Sequence, residues 1–344
     1  MSKKIIVITT GGTIGSILNA DSVSVDSSES RIAMEIEAAK SQLGLKVEVR
    51  SAINKNSESL TPKDWLDILS SIEHACSSGA DGIVVTHGTD TMAYTVAAAY
   101  ALRHIWSNKV CFTGAFYSPE LPSSDTSLSL LSALEFVASS QSDNGVYLAF
   151  RQNASNKEAI ILNGFNVKPM SFDETSFSST YQDYITTYSV ESGLSKEFKP
   201  VSTGYPQINT TTLPRKQEVM DAQSKVSCIS LYPGIDLGVL EAVTANREVV
   251  VVQLYHSGTG PCGTDYCELI EHLKKHAEST SFLMGAFPSQ HISTPYSSSK
   301  AIVDAGGIIY RDVQPHFLYV FTLLCLALGH SQADIRKQLS NWEL

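Results

Sequence analysis

Runs of β-branched residues alternate with helically spaced apolar positions along the first half of the chain. Residues 5–8 and 83–85 are two such runs, and uninterrupted apolar stretches of this kind are typical of strands buried on both faces of a parallel sheet. Residues 30–43 place their apolar side chains at helical spacing, whereas residues 46–51 alternate like a strand. This order of elements predicts parallel strand pairing through right-handed crossovers.

The alternation continues to about residue 150. A helix is predicted to begin at Thr61, an N-cap residue that is followed by a proline in the first turn. Further strands are predicted at 110–113 and 146–150, with helices through 97–105 and 127–137. The pattern is that of an α/β domain with a doubly wound, mainly parallel sheet.

The pattern changes after residue 171. Between 171 and 224, Ser, Thr, Tyr, Pro and Gly dominate and helical periodicity disappears, which predicts irregular or edge-strand structure. A second, smaller α/β unit follows, with strands predicted at 226–231, 249–254 and 281–285 and helices at 237–244, 265–277, 315–328 and 332–339. We therefore expect an N-terminal domain at 1–190, a connector at 191–224 and a C-terminal domain at 225–344.

Composition limits the partners and the location. The 344 residues carry a formal net charge of −10 without a basic cluster, which argues against nucleic acid as the main partner. No apolar run reaches the roughly 18 residues that cross a membrane, and the N-terminus lacks the features of a secretory signal. The six cysteines are scattered, which favours reduced thiols, and the 262 and 267 pair has the wrong spacing for zinc. We expect a cytoplasmic protein with no metal, no membrane and no nucleic-acid partner.

Two glycine-containing turns directly follow predicted strands. Gly12 precedes Thr13 in the first turn, and Gly88 precedes Thr89 and Asp90 in the second. Glycine allows a tight turn and the close approach of a small ligand. Because the carboxyl ends of parallel strands meet at one edge of a sheet, both turns are expected in one crevice. Two hydroxyl nucleophile candidates beside a carboxylate are suited to acyl transfer.

Each turn also has a purely structural interpretation, since glycine-rich turns are common in α/β proteins. The first turn lacks the spacing of a dinucleotide fingerprint, and the chain has no Gly-Lys-Ser/Thr phosphate loop. His87 is interpreted as a structural turn residue bonded to backbone rather than as a general base. Asp125 is interpreted as a cap of the helix that follows it. Acyl transfer remains the hypothesis that uses both turns.

The two turns lie within longer motifs. Residues 10–15 read TGGTIG, and residues 87–95 read HGTDTMAYT. These motifs resemble the two signature motifs of the bacterial L-asparaginase/glutaminase family, and the second is most similar to the cytoplasmic type I branch. Shorter matches run through nearly the whole chain, for example LYPGI at 231–235 and AGGI at 305–308. On this resemblance the chain is identified as a divergent member of the family.

The resemblance implies a fold and a reaction. The fold is a larger N-terminal α/β domain, with a doubly wound mainly parallel sheet, followed by a smaller C-terminal α/β domain. The reaction is hydrolysis of a side-chain amide, as in L-asparagine or a related small amide, to a carboxylate and ammonia, without a metal or an organic cofactor. Active sites in the family form near a subunit contact, so a homodimer or homotetramer is expected.

The resemblance also implies roles for individual residues. Thr13 matches the threonine usually taken as the nucleophile, and Thr89 and Asp90 match the second threonine and its partner aspartate. Ser57 matches the serine that contacts the substrate α-carboxylate, and Asp90 would hold the α-ammonium group. The predicted substrate-binding residues are Gly12, Ser57, Gly88 and Ala115.

The catalytic lysine of the family has no match in register. Anchoring on Asn163, Gly164 and Phe165 places it at Ala159, and Lys157 lies two residues away. In one interpretation the loop is realigned and Lys157 is the catalytic lysine, which makes it the fourth candidate catalytic residue. In the other, the pocket is rebuilt for another substrate or for binding without efficient turnover. If Ala159 stands at the lysine position, Ala159→Lys is expected to increase activity.

Overall fold

The computed structural model describes residues 2–12, 14, 16–18, 23–25, 30–165, 167–180, 184–200, 204–262, 268–286 and 296–343. The chain divides into two compact units, Met1–Leu213 and Pro214–Leu344. The first unit contains a mainly parallel sheet and the second a parallel one, each with helices packed against it. The predicted fold class, a mixed α/β protein with a larger N-terminal and a smaller C-terminal sheet, is therefore confirmed.

The first unit is built on an eight-stranded sheet. The strands of this unit are β1 (Lys4–Thr9), β2 (Ser16–Leu18), β3 (Val23–Val25), β4 (Lys46–Ser51), β5 (Gly82–Thr86), β6 (Lys109–Thr113), β7 (Gly145–Arg151), β8 (Glu158–Asn163), β9 (Thr186–Ser189) and β10 (Gly193–Leu194). The order is β10-β9-β8-β7-β6-β5-β1-β4, and β2 pairs with β3 as a separate antiparallel ribbon. Strands β4, β1, β5, β6 and β7 are parallel, whereas β8, β9 and β10 extend the sheet in antiparallel pairs.

Helices cover the parallel strands. They are α1 (Ser30–Leu43), α2 (Pro62–Ser77), α3 (Met92–Ala101) and α4 (Thr126–Ala138), with single 3₁₀ turns at Ser57–Ser59 and Arg103–Ile105. Helices α1 and α4 pack together over one hydrophobic cluster of the sheet, to which β1 contributes Ile5 and Val7. Helix α2 begins where predicted, because Asp64 accepts hydrogen bonds from the backbone N–H and the hydroxyl of Thr61.

The segment between 171 and 224 contains more regular structure than its composition predicts. Strand β10 is an expected edge strand, and β9 pairs with it and with β8. The predicted absence of helix is wrong, since α5 covers Lys216–Gln223. This helix buries only Val219 and Ala222, so its apolar stripe is too narrow to be recognised from spacing.

The second unit contains a four-stranded parallel sheet in the order β11 (Val226–Ser230), β12 (Val249–Gln253), β13 (Ser281–Ala286) and β14 (Gly307–Arg311). Its helices are α5, α6 (Leu237–Thr244), α7 (Glu268–His276), α8 (Ser297–Asp304), α9 (Pro315–Ala327) and α10 (Gln332–Leu339). Helix α8 and strand β14 are additions to the predicted elements. Among the described residues, no helix is long and apolar enough to cross a membrane.

Candidate active site

The turns after β1, β5 and β6 lie at one edge of the sheet. Thr9, the last residue of β1, is in register with Thr86 at the end of β5, and Thr86 is in register with Thr113 at the end of β6. The backbone continues to follow this register beyond the strands, because the N–H of His87 donates to the Thr113 carbonyl at 2.8 Å. The sheet therefore brings together the two glycine turns and the segment that leads to Ala115, as the sequence predicts.

Glycine backbones pack directly against each other at this edge. Gly12 has a φ of +86°, and a Cβ on it would lie 2.5 Å from the Cα of Gly88. A Cβ on Gly88 would lie 2.6 Å from the Oγ of Ser57. Real Cβ atoms do not come this close to other atoms, so only glycine fits either position. Gly88 thus contacts two of the other predicted substrate-binding residues, Gly12 and Ser57.

Hydroxyl groups fix the same turns to each other. The Oγ1 of Thr10 donates to the Thr86 carbonyl at 2.8 Å, which joins the first turn to the end of β5. The Oγ1 of Thr91 donates to the Ser57 carbonyl at 2.7 Å, which joins the start of α3 to the Ser57 turn. Side-chain bonds to backbone carbonyls of this length are well formed. They hold the crevice floor in one conformation.

The structure describes Thr89 and Asp90 of the predicted catalytic residues, but not Thr13. Thr89 is half-buried and Asp90 is exposed, and both stand in the turn between Gly88 and helix α3. Both residues therefore directly follow Gly88, which packs against Gly12. Thr13 follows Gly12 directly in sequence, but it lies outside the described residues.

Ala115 is buried in the loop after β6. Asp125 fixes this loop, because its carboxylate accepts the backbone N–H groups of Phe116 at 3.0 Å and Tyr117 at 2.9 Å. Asp125 occupies the N-cap position of α4 but makes no capping bond with its side chain. The interpretation of Asp125 as a helix cap is therefore correct in position and wrong in the group that its carboxylate binds.

His87 is a structural residue, in agreement with its interpretation from sequence. Its Nδ1 lies 2.7 Å from the Gly88 carbonyl oxygen and its Nε2 lies 2.9 Å from the Oγ1 of Thr95. Burial lowers the pKa of His87 from 6.5 to about 4, so the ring is neutral at physiological pH. Both ring nitrogens are occupied within the fold, which leaves neither available for proton transfer to a substrate.

The two positions considered for the catalytic lysine, Ala159 and Lys157, both belong to the hairpin formed by β7 and β8. Ala159 lies in β8, is fully buried in the hydrophobic cluster of the sheet and pairs directly with Arg151 on β7. Lys157 is exposed and directly precedes β8, which stands three strands away from β5. At the usual strand spacing this separation is roughly 14 Å. The sheet order alone does not place Lys157 beside Thr89, and its catalytic role stays a prediction.

Arg151 is a residue of this region that the sequence analysis did not single out. It is fully buried, and its guanidinium lies 4.5 Å from the ring centroid of Phe116. Its Nε is 3.9 Å from the carboxylate of Asp125, and its Nη2 has no hydrogen-bond partner among the described residues. Arg151 thus supports the loop that carries Ala115. The available signal was a single arginine that directly ends the apolar run 146–150.

Lys55 is a second lysine that the sequence analysis did not consider. Its N–H donates to the Thr10 carbonyl at 3.1 Å, and a Cβ on Gly11 would lie 2.5 Å from its carbonyl oxygen. Its ammonium group forms an ion pair of 2.5 Å with Asp64. Burial raises the pKa of Asp64, but the bonds from Lys55 and Thr61 outweigh it and the net shift is downward. The main chain of Lys55 therefore contacts the first turn, while its charge serves the start of α2.

The N-terminal domain family of asparaginases matches residues 4–197 of this chain. The chain belongs to the asparaginase family. Two curated relatives carry the name of one component of the glutamyl-tRNA(Gln) amidotransferase. The protein from Saccharolobus solfataricus is 28% identical over 340 residues, which covers 96% of this chain and 72% of the relative. The protein from Thermoplasma acidophilum is 29% identical and covers 98% and 78%, respectively.

Solved structures of asparaginases share the fold. The thermostable L-asparaginase from Thermococcus kodakarensis superimposes with a TM-score of 0.74 at 27% identity, covering 98% of this chain and 96% of that one. L-asparaginase I from Vibrio cholerae gives 0.76 at 22% identity, with 98% and 97% covered. A probable cytoplasmic L-asparaginase from Campylobacter jejuni gives 0.73 at 21%, with 99% of both chains covered. The asparaginase-family chain is thus an enzyme of the amidohydrolase class.

Proposed function

We propose that this amidohydrolase acts on the side-chain amide of a small amino acid, L-asparagine or a related amide, with Thr13 as the nucleophile. The observation that supports the proposal most directly is the contact between Gly12 and Gly88. This contact joins the turn that leads into Thr13 to the turn that carries Thr89 and Asp90. The proposal assigns two hydroxyl groups and a carboxylate to one crevice, which is what acyl transfer requires.

In the proposed reaction, the Oγ1 of Thr13 attacks the amide carbon. Its proton passes by way of Thr89 to the leaving nitrogen, the C–N bond breaks and ammonia departs. Water then hydrolyses the ester on Thr13 and releases the carboxylic acid. Asp90 holds the α-ammonium group of the substrate, and Ser57 binds the α-carboxylate. Backbone N–H groups at the glycine turns stabilise the oxyanion.

The lysine that would assist proton transfer is treated separately from the other residues of the proposed reaction. The family alignment falls on Ala159, so Lys157 is the candidate only if the loop is realigned. Lys55 is the lysine whose main chain contacts the first turn. Arg151 cannot replace either one as a base, because a guanidinium stays protonated in proteins. A positioned proton-transfer group contributes roughly 10²- to 10⁴-fold in rate. Lys157→Met tests this contribution, and Lys55→Met, which removes the ion pair with Asp64 at the start of α2, is the comparison.

The test is ammonia release from L-asparagine and L-glutamine by the purified full-length protein. Thr13→Ala and Thr89→Ala are each expected to reduce kcat by at least about 10²-fold, because each removes a group that acts in the transition state. Thr211→Ala, at an exposed position, is the matched control and should leave the rate unchanged. Background-level release by the wild-type protein with both amides would contradict hydrolysis of these substrates.

Glutamine is the second candidate substrate, because the curated relatives named above are amidotransferase components. Transfer of an amide nitrogen requires a donor that releases it, and a glutamine-type amide is one carbon longer than asparagine. The two assays are therefore compared by kcat/KM. A preference for glutamine would place this chain closer to the amidotransferase components in function.

The remaining alternative is a binding protein without efficient turnover. It predicts that isothermal titration detects binding of an amino acid or an amide while no ammonia is released. Ser57→Ala should then weaken binding, since it removes the proposed α-carboxylate contact. Ammonia release that depends on Thr13 would exclude this alternative.

We also propose a location and an assembly. The five described cysteines are free thiols, which fits a reducing compartment, and one structural neighbour is named a cytoplasmic enzyme. We infer that the chain acts in the cytoplasm as a homodimer or a homotetramer.

A further inference from the structure

Two histidines and a glutamate converge in the second unit, whereas all proposed active-site residues belong to the first. Glu241 lies on α6, and His272 and His276 lie on α7. The histidines are four positions apart, so they share one face of the helix. One ligand atom from each of the three residues falls within 4.8 Å of the others. This group is called the α6–α7 cluster below.

The atoms of the α6–α7 cluster have the spacing of a coordination shell. The Nδ1 of His272 lies 3.3 Å from one carboxylate oxygen of Glu241, and the Nε2 of His276 lies 3.0 Å from the other. Around an ion bound at about 2.0–2.1 Å, tetrahedral ligand atoms are roughly 3.3 Å apart. Small side-chain adjustments are therefore sufficient to admit an ion between the three groups.

His272 is held in the orientation that a ligand needs. Its second ring nitrogen, Nε2, lies 2.8 Å from the Oγ1 of Thr244, and both residues are buried. Its ring packs edge-on against Phe282 of β13, with the ring centroids 5.7 Å apart. Histidine ligands characteristically use their second nitrogen for such an outer hydrogen bond, which fixes the ring and the tautomer. Thr244 supplies that bond here.

We propose that Glu241, His272 and His276 form a binding site for a divalent transition-metal ion of the Zn²⁺ type, which joins α6 to α7. Two imidazoles and a carboxylate are the ligand set that such ions accept, and a fourth position remains for water. The side chains of His276 and Glu241 are 22% and 32% exposed, so an ion has a route from solvent. The site is independent of the proposed amide hydrolysis.

Lys275 competes for the same carboxylate. Its Nζ lies 2.7 Å from the oxygen of Glu241 that also faces His272. The side chain of Lys275 is 63% exposed, so it is free to turn into solvent when an ion takes its place. An ion pair at this exposure contributes little to stability, which makes the exchange inexpensive. If the cluster binds metal, removing Lys275 should therefore increase its affinity for Zn²⁺. If it is only an ion-pair cluster, no such increase is expected.

The experiment is a titration of the untagged, full-length, EDTA-treated protein with Zn²⁺ by isothermal calorimetry. Cys228→Ser serves as the background, because that thiol is exposed and would bind zinc. We expect one Zn²⁺ per chain. Thr244→Val should weaken binding by about 10- to 100-fold through loss of the outer hydrogen bond. His276→Ala removes a ligand and should weaken binding at least as much. His74→Ala, at an exposed histidine outside the cluster, is the control.

Lys275→Met separates the two explanations. A metal site predicts tighter Zn²⁺ binding by this variant, because the competing ammonium group is removed. Saturating Zn²⁺ should also raise the Tm of the parent protein and not that of His276→Ala. Absence of binding, or binding that His276→Ala and Glu241→Gln leave unchanged, would overturn the proposal and leave an ion-pair cluster only.

Discussion

His87 links the pH to stability at the scale of a single residue. Its pKa is about 4 in the fold and 6.5 in an ordinary environment, so only the unfolded chain binds its proton between these values. The contribution of His87 to the free energy of unfolding should therefore be constant above pH 6.5 and fall by about 3 kcal/mol as the pH drops to 4. Urea unfolding at several pH values measures this loss.

The matched variant for this measurement is His87→Gln, which keeps hydrogen-bonding capacity but does not titrate. Its stability should depend less on pH within the same window, whatever its stability at neutral pH. An identical slope in the variant and the wild-type protein would show that other groups cause the acid sensitivity.

Ala159 is the second residue whose surroundings determine the effect of a substitution. The side chain is fully buried and stands directly opposite Arg151. Ala159→Lys therefore places a second cation in a packed interior, and we expect a loss of about 3 kcal/mol or more in unfolding free energy, with no gain in activity. This replaces the expectation of increased activity drawn from the alignment.

The control for Ala159→Lys is Ala154→Lys, at an exposed position of the same hairpin. Chemical denaturation should show a change within about 0.5 kcal/mol for this surface substitution. A stable, more active Ala159→Lys protein would instead restore the lysine alignment.

At the scale of elements, the contact between the turns after β1 and β5 gives the sharpest steric prediction. Gly12→Ala forces a left-handed backbone on alanine, which costs of order 1–3 kcal/mol, and places its Cβ against the backbone of Gly88. Gly44 also has a positive φ but has open space around it, so Gly44→Ala measures the backbone contribution alone. Gly12→Ala should lose clearly more stability in urea unfolding than Gly44→Ala.

A companion pair tests the other side of the contact. Gly88→Ala collides with the side chain of Ser57, and Ser57→Gly removes that obstacle. The double variant should therefore be more stable than Gly88→Ala, a non-additivity that a double-mutant cycle measures. Additive losses would contradict the described packing.

Element prediction succeeded where caps and periodicity agree. The predicted and observed bounds coincide for α1, α6 and α10. The last two follow the N-cap residues Asp236 and Ser331, whose side chains accept capping bonds. Strand β8 was not predicted, because its short apolar run stands in a stretch that the alignment treated as a loop. Helix α8 begins with three serines, which gives it no recognisable apolar stripe at its start.

At the scale of the whole molecule, the fold class and the place of the crevice follow from the sequence, because strand runs and glycine turns are local signals. The pairing of Arg151 with Asp125 does not follow, since the two residues meet only through the sheet and the loop after β6. The α6–α7 cluster is equally non-local, because Glu241 reaches the two histidines only when α6 and α7 pack together. Sequence spacing reports the His272 and His276 pair but not its third member.

Assembly is the prediction that belongs to this scale. The chain mass is 37.3 kDa, and the proposed homodimer or homotetramer should have two or four times this mass in multi-angle light scattering. Dilution should then lower the specific activity if the proposed crevice is completed at a subunit contact. A concentration-independent monomer with full activity would contradict the proposed assembly.

The backbone contact between Gly12 and Gly88 has a consequence for how this fold diverges. Because the floor is made of main-chain atoms, substitutions of side chains do not change its shape as long as both glycines are kept. Variation in substrate choice must then arise in the walls, at positions such as Ser57 and Asp90 whose side chains face the ligand in the proposed complex. Related chains that keep both glycines but differ at these walls should therefore share a crevice and differ in the amide that they accept.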